Sequence, residues 1–297
     1  MNASQGLDYK GYPPFLEPQI PDLPADQCLF HVIPVPLEAT VSYGHGTARG
    51  PAAILNASSQ LEDFNGFDRS CSMGIHTQRP VNCRGSSEKI LKNIENAVSA
   101  VLKIGRLPVI LGGEHSVSVG AFRALRRKGV DFGIVHFDAH GDLRESYRGS
   151  KYSHGCVMNW ALGLGIPLCQ LGVRSISCSE FPIRKKGRVI AHDAMDLAWK
   201  RRPSRLLPAG FPKRIYVSFD VDALDASLMP ATGTPEPGGL MWWDAMALLK
   251  QVIQGRSVAG FDVVELAPIP GMHAPDFTAA RLTYNIMGLI TRYARKR

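Results

Sequence analysis

Three short stretches carry the residues that could do chemistry. PVILGG runs into Gly113-Glu114-His115-Ser116, FGIVHFD runs into Asp138, His140 and Asp142, and IYVSFDVDALD carries Asp220, Asp222 and Asp225. Side chains two apart on a strand share a face, so Asp138, His140 and Asp142 point the same way. Crowded carboxylates repel one another and lose solvation unless something positive sits between them. A lone Asp after a strand is ordinarily a turn former or a helix cap. Three His/Asp groups at face-sharing spacings point instead to a metal site. VAGFDVVELAP adds Asp262 and Glu265 at a further strand end. Two imidazoles and four carboxylates, with no cysteine nearby in sequence, form a hard, oxygen-rich donor set. That set disfavours structural zinc and suits Mn²⁺. Four aspartates balance the charge of two divalent ions, and a metal pair can hold and acidify one water. The chemistry expected is hydrolysis.

Such strand ends need a sheet beneath them. Apolar, β-branched runs (CLFHVIPV, PVILGG, FGIVHFD, PLCQLGV, RVIAH, IYVSFDVD, VAGFDVVEL) are predicted strands. They alternate with helical patterns: SEKILKNIENAVSAVLKIG, VSVGAFRALRRKG, HGCVMNWALGLG, WWDAMALLKQVIQG and DFTAARLTYNIMGLITRYARKR. Near-continuous apolar strands interleaved with helices argue for an α/β fold, a largely parallel sheet covered on both faces. In such sheets ligands bind beyond the carboxyl ends of the strands, where the His and Asp residues fall. Residues 1–26, rich in Pro and Gly, are expected to form an irregular arm, and residues 27–297 a single catalytic domain.

Composition narrows the class. The chain has 297 residues, 45% hydrophobic and 20% charged, enough for a substantial core. It lacks an apolar stretch of about 18 residues, so no membrane span is expected. Its first residues do not read as a secretory signal. The six cysteines are scattered without paired spacing, which argues against a disulfide framework or a CxxC zinc site. A cytoplasmic location is expected. The net charge of +8 gathers in ALRRKG, IRKKGR, WKRRPSR and the terminal RYARKR, each at a predicted helix end or turn and none with aromatics interleaved on a strand face, the kind used to stack bases. Nucleic acid is therefore not an expected partner.

GGEHS, HFDAHGD, SHG, SFDVDALD followed by TGTPEPGG, and DVVELAP occur in the order seen in the arginase/agmatinase ureohydrolases. With YGHGTARGPAAI and DFTAAR, the resemblance runs from about Leu29 to the last helix. It implies a three-layer α/β/α fold on a mainly parallel eight-stranded sheet. It also implies two Mn²⁺ per subunit and cleavage of a guanidino compound to urea and an amine. Residue by residue, His115 and Asp142 resemble the terminal ligands of one manganese. His140 and Asp222 resemble those of the other, with Asp138 and Asp220 bridging. The bridging hydroxide would attack the guanidinium carbon, with Asp142 passing its proton to the leaving nitrogen. His154 of SHG resembles the proton-relaying histidine, and Glu265 the acid that accepts from the substrate guanidinium. A homo-oligomer, trimer or hexamer, is likewise implied.

Several residues have plainer readings. His154 could cap the helix that follows it, and Glu265 could be an ordinary strand-end carboxylate. Asp225 is expected to order a loop, and His45 and His273 to be loop histidines. His136 is assigned to the opposite strand face from Asp138 and read as packing behind the motif. Glu114 stands where the family most often has Asp, with an expected effect on site geometry or metal affinity. The loop LRESYRGSKYS resembles agmatinases more than arginases, which favours agmatine as substrate. In it Glu145 or Tyr147 could receive an ammonium, whereas Arg144, Arg148 and Lys151 could attract a carboxylate, as in a guanidino acid. Arginine ranks lower. A single-zinc deacetylase-type enzyme is disfavoured by the unpaired histidines, and a metal-free subunit or scaffold is the alternative from another class.

Overall fold

Among the described residues eight segments pair into one sheet: β1 (Phe30–Val35), β2 (Ile75–Thr77), β3 (Leu107–Gly112), β4 (Gly133–Phe137), β5 (Leu168–Leu171), β6 (Ile190–His192), β7 (Arg214–Asp220) and β8 (Ser257–Val264). The computed structural model describes residues 12–17, 19–21, 23–187, 189–200 and 203–295. The strand order is β2-β1-β3-β8-β7-β4-β5-β6. Every neighbouring pair is parallel, so the sheet expected to be mainly parallel is wholly so.

Among the described residues eight α-helices cover it: α1 (Gly50–Ser58), α2 (Ser87–Lys103), α3 (Ser118–Arg127), α4 (Val157–Gly163), α5 (Glu180–Lys186), α6 (Ala194–Trp199), α7 (Trp242–Ile253) and α8 (His273–Tyr293). One apolar cluster packs α1, α7 and α8 against the sheet, and a second packs α2, α3 and α4. The result is three layers. Strands covered on both faces gain nothing from alternation, and every residue of β1, β3 and β4 is buried. At the start of α2 the Ser86 hydroxyl accepts from the Lys89 N–H at 3.4 Å, as a helix cap should.

All seven predicted strands and five predicted helices have counterparts, whereas β2, α1, α5 and α6 were not foreseen. Three residues of β2 hold no legible period, and each of these helices is short. Of the expected arm, residues 1–11, 18 and 22 lie outside the described residues, as do 296 and 297 of the last helical segment. Phe15 and Leu16 are fully buried, and their N–H groups donate to Thr77 Oγ1 and Ser58 Oγ, both at 2.9 Å. Among the described residues no helix is long and apolar enough to cross a membrane.

The strand order sets the site. β1 to β3 build one half of the sheet and β4 to β6 the other, and β7 and β8 return to fill the gap between β3 and β4. The carboxyl ends of β3, β8, β7 and β4 thus lie side by side where the winding direction reverses, the usual place for a ligand.

Candidate metal centre

The four central strands each hand a segment to one point. β3 ends in Gly113 to His115, β4 in Asp138 to Asp142, β7 in Asp220 to Asp222 and β8 in Glu265. His115 Nδ1 lies 3.2 Å from Asp138 Oδ2, 3.2 Å from Asp142 Oδ2 and 3.4 Å from Asp220 Oδ2. It nevertheless makes no well-directed hydrogen bond and is fully enclosed. Ligands around an octahedral ion with bonds of about 2.1 Å have neighbours about 3.0 Å apart, so this spacing fits donors converging on a cation. A second group adjoins it: His140 Nδ1 is 2.9 Å from Asp222 Oδ2 and 3.4 Å from Asp138 Oδ1. Asp138 therefore turns one oxygen to each histidine, as a bridging carboxylate would.

Hydrogen bonds behind the cluster set the ring orientations. Ser218 Oγ donates to Asp262 Oδ1 at 2.8 Å, since the carboxylate can only accept. Its oxygen is then left to accept from His115 Nε2–H at 2.9 Å, so that in the neutral ring Nδ1 is bare and aimed at the three aspartates. Thr234 Oγ1 lies 3.4 Å from His140 Nε2, where a hydroxyl oxygen can accept from the ring while Nδ1 faces the carboxylates. Such partners fix the ring and raise its basicity as a ligand.

His136 corrects a sequence expectation. It lies two residues from Asp138 and so shares its face; assignment to the opposite face was an error of parity. The side chain is fully buried and within reach of the same cluster. Gln170 Nε2 donates to the Gly141 carbonyl at 2.7 Å and, with its other hydrogen, to His136 Nδ1 at 3.2 Å. The His136 proton therefore sits on Nε2, which donates to Asp138 Oδ2 at 2.7 Å. A nitrogen so committed orients Asp138 and is not itself free to ligate.

Electrostatics point the same way. Burial would depress His115, but the carboxylates of Asp138, Asp142 and Asp220 override it and hold its pKa well above the ordinary value. Burial followed by repulsion from Asp222 and Asp138 pushes Asp220 well up. Burial and Asp138 raise Asp222, while Asp138 itself is held well down against burial by His136 and its other histidine neighbours. Without a cation, the cluster can relieve its repulsion only by holding protons. Divalent ions would relieve it directly, and the donor set fits them.

A cavity of about 360 Å³ opens over the cluster, lined among others by Asp142, His154, Glu265, Arg144, Tyr147 and Glu236. Glu265 Oε1 accepts from the His115 backbone N–H at 2.6 Å, and burial followed by repulsion from Glu114 raises its pKa well above the ordinary value. Glu265 and Asp142 have φ of 66° and 50°, left-handed values that cost energy in non-glycine residues and cluster at working sites. The Tyr147 ring meets His154 edge-on at 5.7 Å, with the Arg144 guanidinium 4.8 Å from the tyrosine centroid. Arg144 Nε is also 3.9 Å from Glu180, whose carboxylate accepts from Leu143 N–H and from Ser177 N–H and Oγ–H.

Of the six predicted ligand residues, His140, Asp142, Asp220 and Asp222 line this cavity together with His154 and Glu265, and His115 and Asp138 lie behind them within 3.2 to 3.4 Å of their side chains. Asp225 does not line it: it accepts from Ser227, Gly238 and Gly239 and orders a loop. Exposed Glu145 and Lys151 are not among the cavity-lining residues, and Lys151 Nζ lies 5.3 Å from the Tyr152 ring. Thr40, Ser218 and Gln170 carried no signal in the sequence, being ordinary polar residues remote in the chain from what they touch.

The sequence matches the Arginase family over residues 29–288. It is 37% identical over 272 residues to the N(1)-aminopropylagmatine ureohydrolase of Thermus thermophilus, covering 90% of this chain and 92% of that one. It is 31% identical over 278 residues to the agmatinase of Pyrococcus horikoshii, covering 92% and 96%. The agmatine ureohydrolase structure of Thermoplasma volcanium superposes with a TM-score of 0.79 at 31% identity, covering 90% and 92%.

Proposed function

Because this chain belongs to the arginase family, we propose that it is a dimanganese hydrolase that splits a cationic guanidino amine, agmatine or its N1-aminopropyl form, into urea and an amine. The observation that carries the reading is the bare His115 Nδ1 ringed by Asp138, Asp142 and Asp220 beneath an open cavity. His115 and Asp142 would hold one ion, His140 and Asp222 the other, with Asp138 and Asp220 between them. When bound, the pair supplies Lewis acidity and a hydroxide nucleophile at neutral pH.

The chain's own groups do the rest. One Glu265 oxygen is tied to the His115 N–H. The other is left for the substrate guanidinium, a charge-assisted bond that orients the planar carbon over the cluster. Asp142, at the same edge, passes a proton to the departing nitrogen, and His154 exchanges protons between pocket and solvent. Glu236 lines the cavity and offers a carboxylate to a distal ammonium. With agmatine the amine would be putrescine, a polyamine precursor. Arg144 in the cavity wall favours a second reading, a guanidino acid, although Glu180 at 3.9 Å offsets its charge.

The test is urea release by the Mn²⁺-loaded protein from agmatine, N1-aminopropylagmatine, 4-guanidinobutyrate and arginine, with metal content measured alongside. Two Mn²⁺ per chain and preference for the cationic amines are expected, with both metal and activity lost in Asp138→Asn. Urea from the guanidino acid alone would favour the second reading, and no urea from any of them would overturn the proposal.

A further inference from the structure

Glu114, the residue that departs from the commoner Asp, lies behind the pocket rather than in it. The residue is almost fully buried, 1% exposed, and its carboxylate is saturated. Oε2 accepts from the Ala39 and Thr40 backbone N–H groups, both at 2.6 Å. Oε1 accepts from Ser116 Oγ–H at 2.5 Å and from Thr40 Oγ1–H at 2.9 Å. A carboxylate has no hydrogen to give, so the single hydroxyl hydrogen of Thr40 is committed to Glu114. Thr40 Oγ1 keeps two lone pairs, and two His154 groups meet them. The His154 backbone N–H donates at 3.0 Å, and His154 Nδ1 lies at 3.2 Å. An oxygen with no hydrogen left can only accept, so the ring must place its proton on Nδ1. Ser153 Oγ, 3.4 Å from the same nitrogen, can accept as well.

We propose that Glu114, acting through Thr40, fixes His154 as its Nδ1–H tautomer and so keeps Nε2 as the ring nitrogen free to exchange protons with the pocket. Glu114 and Thr40 are positioning residues, and their partners lie 74 and 114 positions apart in the chain. The Tyr147 ring edge-on to the imidazole completes the clamp. This inference rests on the reading of His154 as the proton-exchanging group of the pocket.

The relay has a polarity, and Glu114→Gln reverses it. The amide oxygen must face the two backbone N–H groups, so the NH₂ faces Thr40 and donates to its oxygen. The Thr40 hydrogen then turns to His154 Nδ1, and the ring proton moves to Nε2. The probe is ring-¹⁵N histidine in Mg²⁺-loaded protein, a diamagnetic form, at about pH 9 where a free imidazole is neutral. Long-range ¹H–¹⁵N spectra would be assigned to His154 by their loss in His154→Asn. The wild type is expected to show a protonated Nδ1 and a bare Nε2, and Glu114→Gln the inverse. In the Mn²⁺-loaded enzyme the same variant should lower kcat for urea release by about 10- to 100-fold with little change in KM.

Thr40→Val, which keeps volume and removes the hydroxyl, is the second arm should Glu114→Gln not fold. It is expected to show both tautomers, because Ser153 can then donate to Nδ1. A wild-type ring protonated on Nε2, or a tautomer unchanged in the variants, overturns the proposal. The spectra report the tautomer whether or not urea is released, so the failure of one reading is separable from the failure of the other.

Discussion

Gly113 sits at the end of β3, two residues before His115, and there is no room there for a side chain. A Cβ at Gly113 would lie 2.0 Å from the Leu37 carbonyl oxygen and 2.8 Å from Leu37 C and N. All three atoms are backbone, in a segment pinned because Gly113 N–H donates to Val35 O and Glu114 N–H to Leu37 O, both at 2.8 Å. Since Cβ contacts essentially never fall below 3.0 Å, Gly113→Ala must open this contact by at least 1.0 Å (3.0 − 2.0). The movement passes to His115, whose Nδ1 is held at 3.2 to 3.4 Å from three carboxylates. A misplacement of about 1 Å costs about 100-fold in rate, or about 2.7 kcal/mol of transition-state stabilisation. Overpacking adds a separate stability loss of about 1–3 kcal/mol.

Gly120→Ala is the matched control. Its Cβ would meet Ile94 Cβ and Cγ2 at 2.6 Å, in the contact between α2 and α3. It should lose comparable stability without moving a ligand. Thermal denaturation, calorimetric metal titration and urea release per loaded protein separate the two. Both variants should melt earlier, but only Gly113→Ala should lose metal affinity and about 100-fold in kcat/KM. If Gly113→Ala keeps its activity within about threefold, or Gly120→Ala loses as much, the argument from backbone crowding is wrong.

His136→Leu removes the donor that orients Asp138 and should weaken metal binding by about 10- to 100-fold, read by calorimetry; unchanged affinity would mean Asp138 needs no such support. Stripping metal with a chelator should lower Tm, and restoring Mn²⁺ at 100 times its Kd should return about 2.7 kcal/mol, or about 5 °C. A Tm indifferent to Mn²⁺ would contradict a cation bound by the folded state. Hydrogen bonds from the Ser227 hydroxyl and then, against burial, from backbone N–H groups of Ser227, Gly239 and Gly238 hold Asp225 down at about 2. A pKa lowered on folding gives stability that is present above the ordinary value of 3.8 and lost as pH falls toward 2. Asp225→Ala should therefore cost about 1 kcal/mol at neutral pH, the gap from wild type closing below pH 4; a pH-independent gap would assign the loss to packing.

Much of this protein is decided locally and can be read from the sequence alone. The runs ending in His115, Asp138 and Asp220 are apolar for as long as both faces of their strands are buried, and they turn polar where the sheet stops. That change marks strand, strand end and ligand in one short window. A period of two then tells which neighbours share a face: it binds Asp138 to His140, and applied correctly it binds His136 to Asp138 as well.

Tertiary structure decided what no window contains. The sequence does not say that β7 and β8 slot between β3 and β4, because parallel strands are joined by crossovers and their order is set by which faces bury best. Only that order sets His115 against Ser218, 103 positions away, and Thr40 against His154. The protonation of those rings follows from counting donors and acceptors across such contacts. The sequence thus determined which residues could hold a cation, and folding determined which nitrogen each histidine presents to it. A tautomer depends on the partner opposite, and only the assembled sheet supplies one.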